Sequence, residues 1–219
     1  MFDAADGCFM PERKEPDDMA ERISGWHYSL GWGDGTQSVA PYVPTPMNVV
    51  QEMLKLAKAG PGDVLYDLGC GDGRIVLTAV EEFNVDRAVG FEINPQMAEA
   101  TRMKVYDRDL QGRISVMQAD FFQEDISEAT IVTLYLTTMG NSRLRPKLEK
   151  ELKQGARVVS HDFPITGWVH SREEERQYMV GIHKLFLYRV PEAYASAKKA
   201  PEGDRWSRVR RLLDRQGSA

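Results

Sequence analysis

The sequence has few cysteines and lacks any long apolar run. Its two cysteines, Cys8 and Cys70, are too few for a disulfide framework or a four-cysteine zinc site. No cluster of histidine and cysteine residues along the chain indicates a metal site. No apolar run approaches the roughly 20 residues that a membrane span requires, and the polar, acidic amino terminus lacks the pattern of a signal peptide. These absences predict a cytoplasmic protein without a membrane partner.

The charge balance is mildly acidic, and it disfavours a dedicated nucleic-acid-binding protein. Lys and Arg total 28 against 33 Asp and Glu, a net charge of -5, although a local basic patch stays open. The 219 residues are 42% hydrophobic and 28% charged, which is typical of one globular domain with short additions.

The sequence pattern divides the chain into an extension (1–40), a domain (41–190) and a tail (191–219). In the extension, four glycines interrupt the aromatic segment 24–35, which indicates either a lid over a ligand or aromatic packing on the domain. The tail is basic and has helical periodicity, which predicts a helix that docks on the domain or contacts an acidic partner.

Strand and helix patterns alternate through residues 41–190, which predicts an α/β fold with a mostly parallel sheet. Two further strands without helices follow, which indicates five β/α units and then an antiparallel hairpin. The predicted strands are 63–68, 88–91, 114–118, 130–136, 156–160, 167–170 and 183–190. The predicted helices are 45–60, where Thr45 is the N-cap and Gly60-Pro61 ends the helix, 74–83, 94–105, where Asn94 is the cap, and 146–153.

A glycine-rich turn between the first strand and the next helix is the strongest chemical signal. It contains Gly69, Gly71 and Gly73, and a ligand is expected where such a turn meets a helix amino terminus. A dinucleotide site requires G-x-G-x-x-G, but the sixth position here is Arg74. Asp67, just before the glycines, would repel a pyrophosphate and attract an ammonium group. This combination favours S-adenosylmethionine (SAM), which carries an ammonium and no phosphate.

Acidic residues after the second and third strands suit the adenosyl half of the same ligand. Glu92 can accept hydrogen bonds from both ribose hydroxyls. Asp120 can accept from the adenine amino group, and Phe121 can cover a face of the ring. Each acid alone is typical of a solvated loop or a helix cap, but their common position after consecutive strands predicts a SAM site.

On these motifs the chain resembles the class I, seven-strand SAM-dependent methyltransferases. The segments that carry the resemblance are APYVPTPMNVVQEML, GPGDVLYDLGCGDGRIVLTA, VGFEINPQM, ATIVTLYLTTMGNSRLRPKLEKELKQGARVVSHDF and PITGW, between Ala40 and Val190. They are similar to small bacterial and archaeal methyltransferases, among them archaeal protein-lysine methyltransferases and a mitochondrial lysine methyltransferase family. The likeness to non-SET histone lysine methyltransferases is more distant.

The resemblance implies a Rossmann-like seven-stranded sheet, mostly parallel with a carboxyl-terminal antiparallel hairpin, and a set of cofactor-binding residues. Asp67, Gly69, Gly71 and Gly73 would surround the methionyl part of SAM, Glu92 the ribose, and Asp120 and Phe121 the adenine. Tyr42 to Thr45 would close over the methionine carboxylate, although N-capping is an alternative role for Thr45. Cys70 and Asn94 complete the expected cofactor-binding set, with Cys70 as a small residue beside SAM.

The expected methyl-transfer position follows the fourth strand, and its candidate catalytic residue is Tyr135. The Asn/Asp-Pro-Pro-Tyr motif of many amino methyltransferases is missing there, and Tyr135 stands where non-SET histone enzymes have asparagine. Two roles are open for Tyr135: its hydroxyl orients an acceptor amine, or the residue only packs at the strand end. His161 and Asp162 are interpreted as structural, because adjacent strand residues point to opposite faces.

These features predict a SAM-dependent methyltransferase, with S-adenosylhomocysteine as product and a protein lysine as acceptor. A small-molecule or lipid-like acceptor is the alternative. RNA methylation and a non-catalytic SAM-binding module are further alternatives, because specificity depends on segments outside the fold motifs.

Overall fold

A seven-stranded sheet forms the centre of the described chain, which comprises residues 40–169 and 178–197 of the computed structural model. The aromatic segment 24–35 and the tail beyond residue 197 lie outside the described residues. The strands are β1 Val64–Leu68, β2 Arg87–Glu92, β3 Ile114–Gln118, β4 Ile131–Leu134, β5 Arg157–His161, β6 Tyr178–Val180 and β7 His183–Arg189. The helices are α1 Met47–Leu56, α2 Arg74–Glu81, α3 Pro95–Asp107, α4 Thr138–Glu151 and α5 Glu192–Ala197.

The strand order is β3-β2-β1-β4-β5-β7-β6. The first five strands of this order are parallel, whereas β7 pairs antiparallel with both β5 and β6. The predicted mostly parallel sheet with an antiparallel carboxyl-terminal pair is confirmed. The order reverses direction between β1 and β4, and open α/β sheets bind ligands in the crevice at such a switch point.

Two apolar clusters cover the two faces of the sheet. On one face α1, α2 and α3 pack, with Val50 and Leu54 of α1 fully buried. On the other face, Leu144 and Leu148 of α4 pack together with Trp168 and α5. Strands buried on both faces explain why most of them appear as continuous apolar runs. Among the described helices, none has both the length and the apolar character needed to cross a membrane.

Helix α1 is shorter than predicted, and Thr45 is not its N-cap. The cap position is Pro46, which has no side chain to accept a hydrogen bond, and the helix ends at Leu56 rather than at Gly60. Lys58 adopts a φ of +52°, and the Ala59 N–H donates to the Leu54 carbonyl at 2.9 Å. This hydrogen bond closes the helix in the left-handed way that glycine usually provides, so the sequence shows no stop signal there.

Helix α4 begins two turns before its predicted start. The Thr137 hydroxyl accepts a hydrogen bond from the Gly140 N–H at 3.1 Å and caps the helix. Pro146, expected to open the helix, lies inside it. Proline is typical of the first turn of a helix, which is why the predicted start was Pro146. Here the packing of Leu144 and Leu148 stabilises a helix that contains Pro146 in its interior.

The predicted strand at 167–170 is wrong for its described part. Gly167 belongs to a turn and Trp168 packs into the core, while His170 is outside the described residues. The partner of β7 is instead β6, a three-residue edge strand that leaves Tyr178 and Met179 exposed. The link 119–130 between β3 and β4 contains turns and no helix, so these two strands do not form a complete β/α unit.

Candidate functional site

The glycine turn after β1 is held against the end of β2, with its backbone in left-handed conformations. The Gly69 and Cys70 N–H groups both donate to the Phe91 carbonyl, at 2.9 and 2.8 Å. Gly71 and Gly73 have φ values of +53° and +81°. A Cβ on Gly71 would lie 2.6 Å from Tyr42 Cε2, and a Cβ on Gly73 would lie 2.3 Å from a Thr101 methyl. Both positions therefore require glycine.

Asp67 is buried beside the turn and next to β4. Its register partner on β4 is Thr133, whose hydroxyl donates to Asp67 Oδ1 at 2.7 Å. Burial raises the pKa of Asp67 to about 7, despite the opposing effect of the Thr133 hydrogen bond. A cation bound beside this carboxylate would favour its ionised form.

Glu92, the last residue of β2, is fixed by two backbone donors. Its Oε2 accepts from the Gly71 N–H at 2.9 Å, and its Oε1 accepts from the Asn94 N–H at 2.8 Å. Asn94 caps α3 as predicted, because its side chain accepts from the Gln96 and Met97 N–H groups. The carboxylate of Glu92 is thus oriented at the glycine turn by the backbone, while the Asn94 side chain is engaged with its own helix.

Asp120 and Phe121 follow β3 at the same edge of the sheet. Asp120 Oδ1 accepts from the Phe122 N–H at 3.0 Å, so one of the two carboxylate oxygens stabilises the turn. Phe121 is buried in the apolar cluster, and its ring centroid lies 4.7 Å from that of Phe122. The structure therefore brings Asp67 of β1, Glu92 of β2 and Asp120 after β3 to one edge, whereas most of the Phe121 ring lies in the core.

The segment from Tyr42 to Thr45 is tied to the glycine turn. The Tyr42 ring lies against Gly71, and the Thr45 carbonyl accepts from Arg74 Nη1 at 2.6 Å. Arg74 also donates to both carboxylate oxygens of Asp72, at 2.9 and 2.7 Å. Burial acts to raise the pKa of Asp72, but the Arg74 hydrogen bonds and charge outweigh it and lower the pKa.

The Cys70 thiol packs against Gly90 of β2. It is buried, and a Cβ on Gly90 of β2 would lie 2.7 Å from its sulfur. Burial raises the pKa of the thiol well above its usual range, which suppresses the nucleophilic thiolate. Cys70 is therefore a small packing residue whose backbone, rather than its side chain, belongs to the turn.

Four polar side chains meet where β4 and β5 end. Tyr135 directly follows β4, and its ring centroid lies 3.9 Å from that of His161. The Tyr135 hydroxyl donates to Asp162 Oδ2 at 3.4 Å, and burial together with the Asp162 charge raises the tyrosine pKa. His183 Nδ1, from the start of β7, lies 3.1 Å from the same Asp162 oxygen.

His161 and Asp162 do meet, contrary to the expectation that they point to opposite faces. Asp162 leaves the strand with a φ of +57°, and the Phe163 N–H donates to the His161 carbonyl at 2.7 Å. This tight turn brings Asp162 Oδ2 to 3.3 Å from His161 Nε2. Asn141 of α4 supports the turn by donating to the Phe163 carbonyl at 2.8 Å.

His161 is completely buried, and burial lowers its pKa to about 4. Its Nδ1 lies 3.3 Å from the Thr45 hydroxyl, which therefore faces β5 rather than the glycine turn. Sequence reasoning missed Thr133, Arg74 and His183. Thr133 and His183 carried no motif, because only the pairing of distant strands brings them to this edge.

The chain is similar to known methyltransferases along most of its described length. Residues 67–172 match the family model of the ANTKMT methyltransferase domain. Over 152 residues the chain is 54% identical to the protein-lysine N-methyltransferase of Saccharolobus islandicus (strain REY15A), which covers 69% of this chain and 94% of that protein. It is 33% identical to the adenine nucleotide translocase lysine N-methyltransferase of Mus musculus over 58% of this chain, and spans 55% of that relative's length.

A solved structure with the same fold contains the product of SAM-dependent methyl transfer. The crystal structure of an RNA methyltransferase from Salinibacter ruber in complex with S-adenosyl-L-homocysteine is 41% identical. It superposes with a TM-score of 0.64, covering 68% of this chain and 95% of the other. By its sheet order, its glycine turn and these similarities, the chain belongs to the class I SAM-dependent methyltransferases, in the family of the archaeal protein-lysine N-methyltransferase.

Proposed function

We propose that this enzyme transfers the methyl group of SAM to a lysine side-chain amine of a protein. The observation that carries the proposal is the 54% identity to the archaeal protein-lysine N-methyltransferase over 94% of that relative's length. The identity extends well beyond the glycine turn that any SAM-binding fold needs. The mouse relative, also a lysine N-methyltransferase by name, supports the same acceptor over a shorter match.

The proposed cofactor site lies along the carboxyl ends of β1, β2 and β3. In it, Asp67 attracts the ammonium of SAM, the glycine turn of Gly69, Gly71 and Gly73 approaches the methionyl part, and Glu92 accepts from the ribose. The burial of Asp67 and the two backbone hydrogen bonds to Glu92 support these roles, because both carboxylates are fixed before any ligand arrives. Asp120 and one edge of Phe121 would contact the adenine.

Four further residues belong to the proposed cofactor site through their backbone or their packing. Tyr42 covers Gly71 and would close the methionyl end, while Thr45 anchors that segment through Arg74 and His161. Cys70 contributes the backbone of the turn. Asn94 acts indirectly, because its N–H orients Glu92 and its side chain starts α3.

The proposed chemistry needs a neutral, aligned amine. The sulfonium of SAM is an activated donor, and its S–CH3 bond would break as the N–CH3 bond forms, with S-adenosylhomocysteine as the leaving group. The lysine ammonium must first lose a proton to solvent, and the neutral nitrogen must then lie in line with the S–CH3 bond. Tyr135 is the proposed orienting residue. The Tyr135 hydroxyl donates its proton to Asp162, so the lone pairs of the Tyr135 oxygen can accept a hydrogen bond from the amine.

RNA is the second candidate acceptor. The specific observation that favours it is the Salinibacter ruber structure, which bears the name RNA methyltransferase and is 41% identical over 95% of its chain. The net charge of -5 favours protein over RNA, because phosphate backbones are bound mainly by Lys and Arg. The tritium assay described next also distinguishes small-molecule and lipid-like acceptors from protein and RNA.

The test incubates the full chain with tritiated SAM and a lysate of its own host. Protein, RNA and small-molecule fractions are then counted separately. The proposal predicts label in protein bands on a denaturing gel. Glu92→Ala should remove this label, whereas Glu99→Ala, an exposed acid of α3, should leave it unchanged. Label confined to RNA or to small molecules would overturn the lysine proposal.

A further inference from the structure

Two histidines and one carboxylate converge at the end of β5, where the adjacent His161 and Asp162 meet His183 from the start of β7. His161 Nε2 lies 3.0 Å from His183 Nδ1 and 3.3 Å from Asp162 Oδ2. The third side of the triangle, from His183 Nδ1 to Asp162 Oδ2, is 3.1 Å. From these contacts we propose that His161, Asp162 and His183 form a binding site for a divalent first-row transition-metal ion such as Zn²⁺.

The spacing of the three atoms suits metal ligation. Zinc binds histidine nitrogen and carboxylate oxygen at about 2.0–2.2 Å. Ligands at this distance are separated by about 2.9 Å when they subtend a right angle, and by about 3.3 Å in a tetrahedron. The observed separations of 3.0, 3.1 and 3.3 Å fall within this interval. The triangle is therefore of the size that a single ion spans.

The donor set selects the class of metal. Two imidazole nitrogens with one carboxylate favour zinc, iron, cobalt or nickel over magnesium and calcium, which prefer oxygen ligands. Hydrogen bonds alone pair the three atoms less completely, because a single proton cannot lie between all of them. A divalent ion interacts with all of them at once.

The groups behind the ligands are arranged as in a metal site. His161 Nδ1 lies 3.3 Å from the Thr45 hydroxyl, so the ring can donate there and direct the Nε2 lone pair into the triangle. Asp162 Oδ1 accepts from the Lys184 N–H at 2.8 Å, which fixes the carboxylate. Oδ2 faces the triangle and also accepts from the Tyr135 hydroxyl, because one carboxylate oxygen can accept from a donor and bind an ion at once. Metal-binding histidines and carboxylates commonly have such supporting hydrogen bonds.

The site is open on one side and adjoins Tyr135. The side chains of His183 and Asp162 are 24% and 25% exposed, while His161 forms the buried floor. Three protein ligands with an open position leave room for water or another ligand. Because Tyr135 packs against His161 and donates to Asp162, an ion here would directly affect the orientation of that tyrosine. The inference stands on the triangle alone and does not depend on the identity of the methyl acceptor.

The test measures metal binding by the full chain, purified without a polyhistidine tag and freed of metal with a chelator. Calorimetric titration with Zn²⁺ should show one saturable equivalent, and Co²⁺ should give the visible absorption bands of a protein-bound ion. His183→Ala and, separately, Asp162→Asn should each weaken binding roughly 100-fold or more, since loss of a supporting residue alone costs about 10–100-fold. The double variant His27→Ala/His170→Ala, which removes the other two histidines of the chain, should bind like the wild type.

Two results would overturn the proposal. One is the lack of a stoichiometric Zn²⁺ equivalent in the wild-type chain, whose folding circular dichroism verifies. The other is binding that is undiminished in Asp162→Asn and His183→Ala but lost in the double histidine variant. Neither result would affect the proposed methyl transfer, which the tritium assay tests separately.

Discussion

At the scale of single residues, the three acids at the carboxyl edge differ in how the fold holds them. Asp67 is buried with one hydroxyl donor, Glu92 accepts two backbone N–H groups, and Asp120 holds a turn. Each environment predicts a different response to substitution. Cofactor binding should therefore depend on these carboxylates in separable ways.

Glu92 is expected to be the most sensitive of these positions. Glu92→Ala removes the proposed ribose acceptor and leaves the Gly71 and Asn94 N–H groups without their present partner. We expect SAM binding, measured by calorimetry, to weaken by about 1–3 kcal/mol. Glu99→Ala is the matched control and should bind SAM normally. Equal affinities in the two variants would remove Glu92 from the site.

Asp67 should make SAM binding release a proton. In the folded enzyme without SAM, the pKa of the Asp67 carboxyl is about 7, so near neutral pH a fraction of the molecules carries this carboxyl protonated. The SAM ammonium favours the ionised form and lowers that pKa, so affinity should rise as the pH increases from about 6 to about 7.5.

Calorimetry at about pH 6.5, in buffers of different ionisation enthalpy, measures this proton. Asp67→Asn should bind SAM more weakly and release no proton from this position. The exposed Asp107→Asn variant should behave like the wild type. Identical proton release in Asp67→Asn and wild type would contradict the assignment.

Tyr135→Phe separates orientation from packing. The variant keeps the ring that packs against His161 but loses the hydroxyl that contacts Asp162. We expect unchanged SAM affinity and a methyl-transfer rate that falls by roughly tenfold or more, since misalignment of the amine slows in-line attack. Steady-state kinetics with a labelled protein acceptor provide the comparison. An unaltered rate would assign Tyr135 a packing role only.

At the scale of elements, the contact between the glycine turn and α3 is the most constrained feature. Gly73→Ala must adopt a φ of +81° and also place its Cβ 2.3 Å from the Thr101 methyl. Gly62 has a similar φ of +86° but open space around it. Gly62→Ala should therefore cost only the backbone strain, about 1–2 kcal/mol, and Gly73→Ala clearly more.

Denaturant unfolding of the two alanine variants measures this difference. Adding Thr101→Ser to Gly73→Ala removes the clashing methyl and keeps the hydroxyl that donates to the Gly71 carbonyl at 2.8 Å. The double variant should recover part of the lost stability. If Gly73→Ala and Gly62→Ala were equally destabilised, steric contact with α3 would not constrain this turn.

Local sequence predicted elements well where burial and caps coincide. Strand β3 has its predicted bounds, and Asn94-Pro95 starts α3 as expected. Prediction failed where a rare local conformation or tertiary packing decides. Lys58 closes α1 without glycine, Pro146 lies within α4, and β6 is too short and exposed to show a pattern. For α4 and β6 the deciding interaction lies outside the local window, whereas α1 ends on a local hydrogen bond made without glycine.

At the scale of the whole molecule, the sheet order determines which residues share the site. Acids at the carboxyl ends of neighbouring parallel strands could be predicted to share one edge, because those strands end there. The approach of His183 to Asp162 could not, since it depends on β7 entering antiparallel beside β5. The contact of Arg74 with Thr45 likewise joins segments with no shared motif.

The proposed methyl acceptor of the whole molecule is a lysine side chain. The most direct measurement is amino-acid analysis of host protein labelled by this enzyme with tritiated SAM. After acid hydrolysis, we expect tritium to co-elute with methylated lysine standards, and Glu92→Ala to leave those fractions unlabelled. Tritium recovered as another methylated amino acid, as volatile methanol from esters, or only in methylated nucleosides would contradict this proposal.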